Sequence, residues 1–241
     1  VAICAATGTD YLDLCGEPLN RRGYRVSPIV TPLKETLAAA ILRAVKYTGE
    51  EPLLDPMCGS GTFAIEAGLI AVRRAPGLTR TFAVERWPHL GAAARTKLTD
   101  LRREASAQER AAPCPIYGLD RQQEAVDAAI KNVAAAKLTQ EVQILQADAA
   151  RPLPIPAEPP GLLVTNPPYG DRLKHGGQQG MKTFYFQIGE NFRRLKGWRM
   201  AILAGNVAFE SAFHMRPSGK RQLWNGPIAC ELLTYATAAA A

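Results

Sequence analysis

Histidine is scarce and cysteine is never clustered. The three histidines, His89, His175 and His214, lie far apart and share no ligand spacing. Five cysteines (Cys4, Cys15, Cys58, Cys114 and Cys230) are scattered, odd in number and never spaced C-x-x-C. This argues against a zinc site and against a disulfide framework, so no metal is expected. It favours a reducing compartment, and the expected location is cytoplasmic. No apolar run reaches transmembrane length and no signal peptide is visible. There is no internal repeat, which argues against a solenoid. The chain opens on Val1 instead of Met, so a piece of a longer protein is expected.

What is present suits one α/β domain. The 241 residues are 47% hydrophobic, enough for a sizeable core. Lys and Arg number 29 against 22 Asp and Glu, a formal charge of +7. Such a surface favours an anionic partner, nucleic acid first, although it also serves plain solubility.

The densest chemistry lies in Leu162-Leu163-Val164-Thr165-Asn166-Pro167-Pro168-Tyr169. The apolar run reads as a short buried strand, ended by two prolines that fix the backbone. Neither proline has an N–H, so the neighbouring carbonyls are free to face a ligand. The Asn166 side-chain oxygen and the Pro167 carbonyl suit the two hydrogens of an exocyclic amine, with Tyr169 stacked on the ring that bears it. The same residues also suit an ordinary proline-rich turn covered by an aromatic.

Upstream, Pro52-Leu53-Leu54-Asp55 reads as a strand, Pro56-Met57-Cys58-Gly59-Ser60-Gly61-Thr62 as a tight loop, and residues 63–72 as a helix apolar at Phe63, Ala67, Ile70 and Ala71. Strand, glycine loop and helix open a nucleotide-type α/β fold. Glycines let backbone approach a ligand, and the helix N-terminus offers N–H groups to a carboxylate or phosphate. Asp55, at the strand end, suits a cationic amine or the loop itself. Gly59-x-Gly61-x-x-Ala64 also meets the relaxed dinucleotide fingerprint, with Glu85 as the later acid that an NAD site needs. A nicotinamide-dependent oxidoreductase therefore stays open. Cys58 reads as a space-filling residue, with a reactive thiol as the sharper alternative.

Two more strands end in acids: residues 115–120 at Asp120, and 142–145 just before Asp148. A carboxylate after the second strand suits ribose hydroxyls, and a short acid after the third suits an adenine amine. Between the first two acids, residues 73–113 read as an insertion with an Arg- and Ala-rich helix carrying Arg95, Lys97, Arg102 and Arg103. That charge suits a solvated face, or RNA.

Three helices complete the pattern. One opens at Thr31 as N-cap with Pro32 first, lined by Leu33, Leu37, Ala40, Ile41, Ala44 and Val45. Another covers 124–136 with Val126, Ala129, Ile130 and Val133 inside. A third covers 181–195, after a basic glycine-rich flap at 170–177. Residues 1–6 and 11–15 read as two short strands. Gly16-Glu17-Pro18-Leu19-Asn20-Arg21-Arg22-Gly23-Tyr24-Arg25 reads either as a phosphate-contacting segment or as a solvated loop. A fifth strand, 200–203, precedes an antiparallel hairpin of 220–224 and 228–234 around Asn225-Gly226-Pro227. The domain boundaries expected are an N-terminal segment at 1–30 and a catalytic domain at 31–241.

The order D-P-x-x-G-S-G-T, G-x-D, an acid after the third strand, and N-P-P-Y resembles the class I S-adenosylmethionine-dependent amino-methyltransferases. The flanking stretches, including Gly16–Arg25, Pro32–Leu37 and Asn225–Pro227, are most similar to bacterial large-subunit ribosomal RNA guanine-N2 methyltransferases, which usually carry a THUMP RNA-binding domain upstream. Asn20, where His is usual, and Asp171, where Glu is common, depart from the family's pattern. The resemblance implies a Rossmann-like, seven-stranded mixed sheet with helices on both faces and a reversed C-terminal hairpin. It implies S-adenosylmethionine as cofactor and RNA, foremost 23S rRNA, as partner. Asp55 with Gly59, Ser60, Gly61 and Thr62 would hold the methionine end, Asp120 the ribose and Asp148 the adenine. Asn166, Pro167, Pro168 and Tyr169 would carry the chemistry beside the cofactor, on a flipped or unpaired base. Alternatives are methylation of adenine N6 or a protein glutamine, the oxidoreductase, and an RNA-binding module without turnover.

Overall fold

The computed structural model describes residues 2–4, 7–9, 11–27, 33–156, 159–169 and 177–237. Seven strands form one mixed sheet: β3 (Leu53–Asp55), β4 (Ile116–Asp120), β5 (Val142–Gln146), β6 (Leu162–Thr165), β7 (Arg199–Ala204), β8 (Gly219–Asn225) and β9 (Ile228–Ala236). Their order across the sheet is β5-β4-β3-β6-β7-β9-β8. The first five run parallel, and β9 lies antiparallel to both β7 and β8. This is the expected Rossmann-like sheet with its reversed hairpin.

Alternation along the strands decides which residue meets which layer. Leu53, Leu162, Val164, Ala201 and Leu203 face one hydrophobic cluster, shared with helices α1 (Glu35–Ala44), α2 (Thr62–Ala71) and α4 (Gln123–Ala135). Leu54, Leu163, Met200, Ile202 and Ala204 face the other, beneath α5 (Gly177–Phe192) and α6 (Phe209–Phe213). β3 and β6 are buried on both faces, which is why their sequences are continuous apolar runs. No described helix is long and apolar enough to cross a membrane.

Several boundaries differ from the sequence expectation. α1 begins at Glu35 after Lys34 in extended conformation; Thr31 and Pro32 lie outside the described residues. Its buried positions are Glu35, Ala38, Ile41 and Leu42, while Ala40 and Ala44 are exposed. Alanine is small enough to sit on either face, so an apolar stripe rich in it is ambiguous. Ile130 of α4 is 49% exposed, and its expected place inside is taken by the fully buried Asn132. α5 ends at Phe192, three residues short of the expected end. Of the flap expected at 170–177, residues 170–176 lie outside the described residues and Gly177 opens α5. At the N-terminus β1 (Ala2–Cys4) pairs with β2 (Thr7–Thr9) in a tighter hairpin than expected. Residues 11–15 form no strand. Instead the Leu14 and Cys15 carbonyls accept from the Val84 and Ala83 N–H groups.

The insertion holds a short 3-10 helix, Ala83–Arg86, and α3 (Gly91–Ser106), in which only Gly91 is buried. Residues 22–27 pack onto the sheet's helical layer through charged and polar ties. Arg22 and Tyr24 both donate to Glu66, a carboxylate buried inside α2. Asn132 satisfies four backbone groups at once: its Oδ1 accepts from the Val26 and Ser27 N–H groups (2.9 Å each), and its Nδ2 donates to the Ser27 and Ser60 carbonyls (3.0 Å each).

Removing Asn132 leaves three part-buried backbone groups and the buried Ser60 carbonyl without this partner. Asn132→Ala is expected to lower the unfolding free energy by about 2–4 kcal/mol. Ile130→Ala, on the same helix but exposed, is expected to cost under about 0.5 kcal/mol. Urea denaturation of both variants checks the difference.

Candidate active site

Four adjacent parallel strands, β5, β4, β3 and β6, end at one edge of the sheet, and each presents one of the polar residues singled out above. Asp148 follows β5 by two residues, Asp120 and Asp55 are the last residues of β4 and β3, and Asn166 directly follows β6. The sequence expectation that these groups converge is met by topology: crevices of open α/β sheets lie at the carboxyl ends of the strands.

The glycine loop is held from that edge. The Cys58 N–H donates to the Leu119 carbonyl at 2.7 Å, and the Gly59 N–H donates to Asp120 Oδ2 at 3.0 Å. Asp120 Oδ1 accepts from the Gln122 N–H at 3.0 Å, so the carboxylate ties the loop to the turn before α4. Gly59 and Gly61 both have left-handed backbone, with φ of 53° and 85°, which is where side-chain-bearing residues are strained. Gly61 sits immediately before α2, where no side chain caps the helix. Gly118 opposite Asp55 leaves room for Cys58, whose Sγ would lie 3.3 Å from an added Cβ. Burial pushes the Cys58 thiol well above its ordinary range, so it is a space-filling residue and no thiolate.

Asp55 is buried, and that burial raises its carboxyl to about 7. The neighbouring Thr165 side chain and the Met57 N–H, which donates to Oδ1 at 3.2 Å, pull it partly back, and Asp120 adds a further upward push. Asp148 Oδ1 accepts from the Ala150 N–H at 2.9 Å, and its Oδ2 has no hydrogen bond among the described residues.

Beyond β6, Asn166 Oδ1 is shielded from solvent and has no donor among the described residues. The two prolines hold it there. The Pro168 carbonyl is taken by the Tyr185 hydroxyl at 2.8 Å. Tyr169 is buried rather than standing free. Its phenol oxygen accepts from Asn225 Nδ2 at 3.0 Å, and its ring lies so close to Gly205 that a Cβ there would come within 2.7–2.8 Å of ring carbons. The hairpin end that carries Asn225-Gly226-Pro227 therefore braces the Asn-Pro-Pro-Tyr segment.

Sequence reasoning left the three arginines at 21–25 open between phosphate contact and a solvated loop; the structure gives neither to Arg22 or Arg25. Arg22 lies against buried Glu66, and Arg25 pairs with Glu35 at 2.8 Å. Arg21 alone stays exposed, beside Glu17. Glu85, the acid a dinucleotide site would use, is not at a strand end. It sits in the 3-10 helix of the insertion and pairs with Arg102, which lowers its carboxyl. Asn132, Glu66, Asn225 and Gly205 were missed. The one available signal was a polar residue inside an apolar helix face, as at Glu66 and Asn132. No group of three or more His, Cys, Asp or Glu able to hold a metal occurs among the described residues.

Comparison with known proteins identifies the family. Residues 22–234 match the family described as RMKL-like, methyltransferase domain. The ribosomal RNA large subunit methyltransferase K/L of Psychromonas ingrahamii is 37% identical over 230 residues, 94% of this chain and 30% of that protein. A putative RNA methyltransferase of Synechocystis, slr0064, is 37% identical over 93% of this chain and 57% of its own length. A crystal structure of SMU.472, a putative methyltransferase complexed with S-adenosylhomocysteine, superposes with a TM-score of 0.85 at 34% identity, covering 95% of this chain and 58% of that one. The chain thus spans from about a third to somewhat over half of the proteins it matches. A seven-stranded sheet with a reversed hairpin, a braced Asn-Pro-Pro-Tyr at its edge and a match across nearly its whole length together place this chain in the RMKL-like methyltransferase domain family.

Proposed function

We propose that this chain transfers a methyl group from S-adenosylmethionine to the N2 exocyclic amine of a guanine in RNA, foremost 23S rRNA. The observation that carries the reading is the Asn166 side-chain oxygen, buried at the sheet edge without a donor among the described residues. A buried acceptor left unpaired costs about 1–3 kcal/mol, which an incoming N–H recovers. S-adenosylhomocysteine bound to the similar SMU.472 protein supports the cofactor, and the RNA methyltransferase names of the K/L and Synechocystis relatives support RNA. The longer relatives also leave room for an RNA-capturing domain, and an upstream THUMP domain is part of this proposal. rRNA as the substrate implies a cytoplasmic setting.

The residues divide the work. Asp120 has one oxygen on the Gly59 N–H and the other on the Gln122 N–H, which leaves a lone pair on each for two ribose hydroxyls. Asp148, with Oδ2 open, takes the adenine amine. Asp55 and the Gly59, Ser60, Gly61 and Thr62 loop take the methionine end.

The target amine is a poor nucleophile, because its lone pair is delocalised into the ring. Asn166 Oδ1 and the Pro167 carbonyl accept its two hydrogens, which favours a pyramidal nitrogen with a localised lone pair. Tyr169, fixed by Asn225 and Gly205, holds the base in line. When bound, S-adenosylmethionine supplies an electrophilic methyl carbon on a sulfonium. Asn166 and the Pro167 carbonyl would aim the nitrogen lone pair at that carbon, and the surplus proton would leave to solvent. Positioning and electrostatics do most of the work, so no general base is required. A paired base inside a helix cannot reach such a pocket and must be unpaired or flipped.

Asn166→Ala is expected to reduce methyl transfer by at least about 100-fold, comparable to removing one transition-state hydrogen-bonding group. Its S-adenosylhomocysteine affinity should stay within about threefold, because the side chain serves mainly the target amine. Single-turnover kinetics with calorimetry measure both; strong residual turnover would sink the assignment.

Asp55 gives a pH signature. Its raised carboxyl is protonated in the free protein below about 7. The unfolded chain releases that proton at the ordinary carboxylate pKa, so the group's contribution to stability is full below about 4 and is lost as pH rises through 7. A cationic ligand requires the ionised form, so the sign for binding is opposite. S-adenosylhomocysteine affinity should rise by up to about tenfold per pH unit from 5.5 to 7, then level off. Asp55→Asn should flatten that slope, and calorimetry across the range reads it.

A further inference from the structure

The segment at residues 22–27 does more than cover the sheet's helical layer. Arg25 crosses directly to the cofactor loop. Its Nε donates to Glu35 Oε1 at 2.8 Å and its Nη2 to the Leu33 carbonyl at 2.9 Å. The remaining contacts are to two hydroxyls that bracket Gly61: Nη1 to Ser60 Oγ and Nη2 to Thr62 Oγ1, each at 3.2 Å. Ser60 is 3% exposed and Thr62 5% exposed, so neither hydroxyl can rely on water.

A hydroxyl that accepts from a guanidinium has a lone pair occupied and its own proton left to donate. Among the described residues, neither the Ser60 nor the Thr62 hydroxyl finds an acceptor. Two buried O–H donors therefore flank the N-terminus of α2, beside first-turn N–H groups that no side chain caps. Donors of this kind in one place call for an anionic oxygen ligand. Glu35 already neutralises Arg25, so the guanidinium sets the direction of the hydroxyls more than it attracts the anion.

We infer that Arg25 is a positioning residue that turns the Ser60 and Thr62 hydroxyls into donors for the carboxylate of the methyl donor. This rests on the cofactor reading above. It separates Arg25 from a merely structural arginine, because its effect must depend on the ligand's carboxylate.

The test compares two ligands by calorimetry on the full chain: S-adenosylmethionine, and decarboxylated S-adenosylmethionine, which keeps the nucleoside, sulfonium and amine. The wild-type protein should prefer the carboxylate-bearing ligand. Arg25→Gln should weaken S-adenosylmethionine by about tenfold, the size of one hydrogen bond to a charged group, and shift the decarboxylated ligand by no more than about twofold. Ser60→Ala, which leaves the Arg25–Glu35 pair alone, should show the same selectivity and serves if Arg25→Gln does not fold. Equal losses for both ligands, or no loss, would overturn the positioning role while leaving the cofactor reading intact. Wild-type protein that binds neither ligand would overturn both.

Discussion

A buried hydrogen-bond acceptor with no donor among the described residues is the constraint on which the candidate site depends. Asn166 Oδ1 is shielded and, among the described residues, unpaired, and the chain holds it so from three sides. The two prolines remove the N–H groups nearest to it in the chain. The Tyr185 hydroxyl occupies the Pro168 carbonyl. Asn225 and the bare backbone of Gly205 fix Tyr169. A flexible loop would relax and satisfy the amide within the protein. This segment is braced against that, which leaves the acceptor open for the amine of the proposed substrate.

The same logic runs along the sheet edge. Asp55 is buried at the end of a strand enclosed on both faces, and its carboxyl rises accordingly. Asp120 spends part of its acceptor capacity on the glycine loop, which couples the shape of the loop to the carboxylate beside it. Residues 22–27 complete the arrangement from the other side, through Asn132 and Arg25. The loop is thus positioned by side chains from three separate parts of the chain, and its glycines supply the left-handed turns that let backbone lie close to a ligand.

Much of this was legible in the sequence. Strands buried on both faces appear as apolar runs, and the acids at their ends keep their order because parallel strands bring every carboxyl end to one edge. The sheet and its reversed hairpin followed from the resemblance and from the turn at Asn225-Gly226-Pro227. What stayed hidden was partnership across distance. Nothing near Arg22 shows that Glu66, 44 residues away, will bury against it. Nothing near Tyr169 shows that Asn225 will brace it. Alanine-rich helices gave the weakest guide to burial, since Ala40 and Ala44 face out while Asn132 faces in. The basic residues at 21–25 illustrate the limit of charge reading: composition suggests phosphate, and geometry gives two of the three arginines to buried carboxylates.

The most direct test is the identity of the methylated nucleoside. Protein incubated with labelled S-adenosylmethionine and unmethylated large-subunit rRNA is digested, and the label is assigned by chromatography and mass spectrometry. The account predicts N2-methylguanosine, absent with Asn166→Ala. N6-methyladenosine would keep the grip on an exocyclic amine and overturn the target. Label on a ring carbon or a ribose oxygen would contradict the central claim, because neither offers the N–H that the Asn166 oxygen is built to accept.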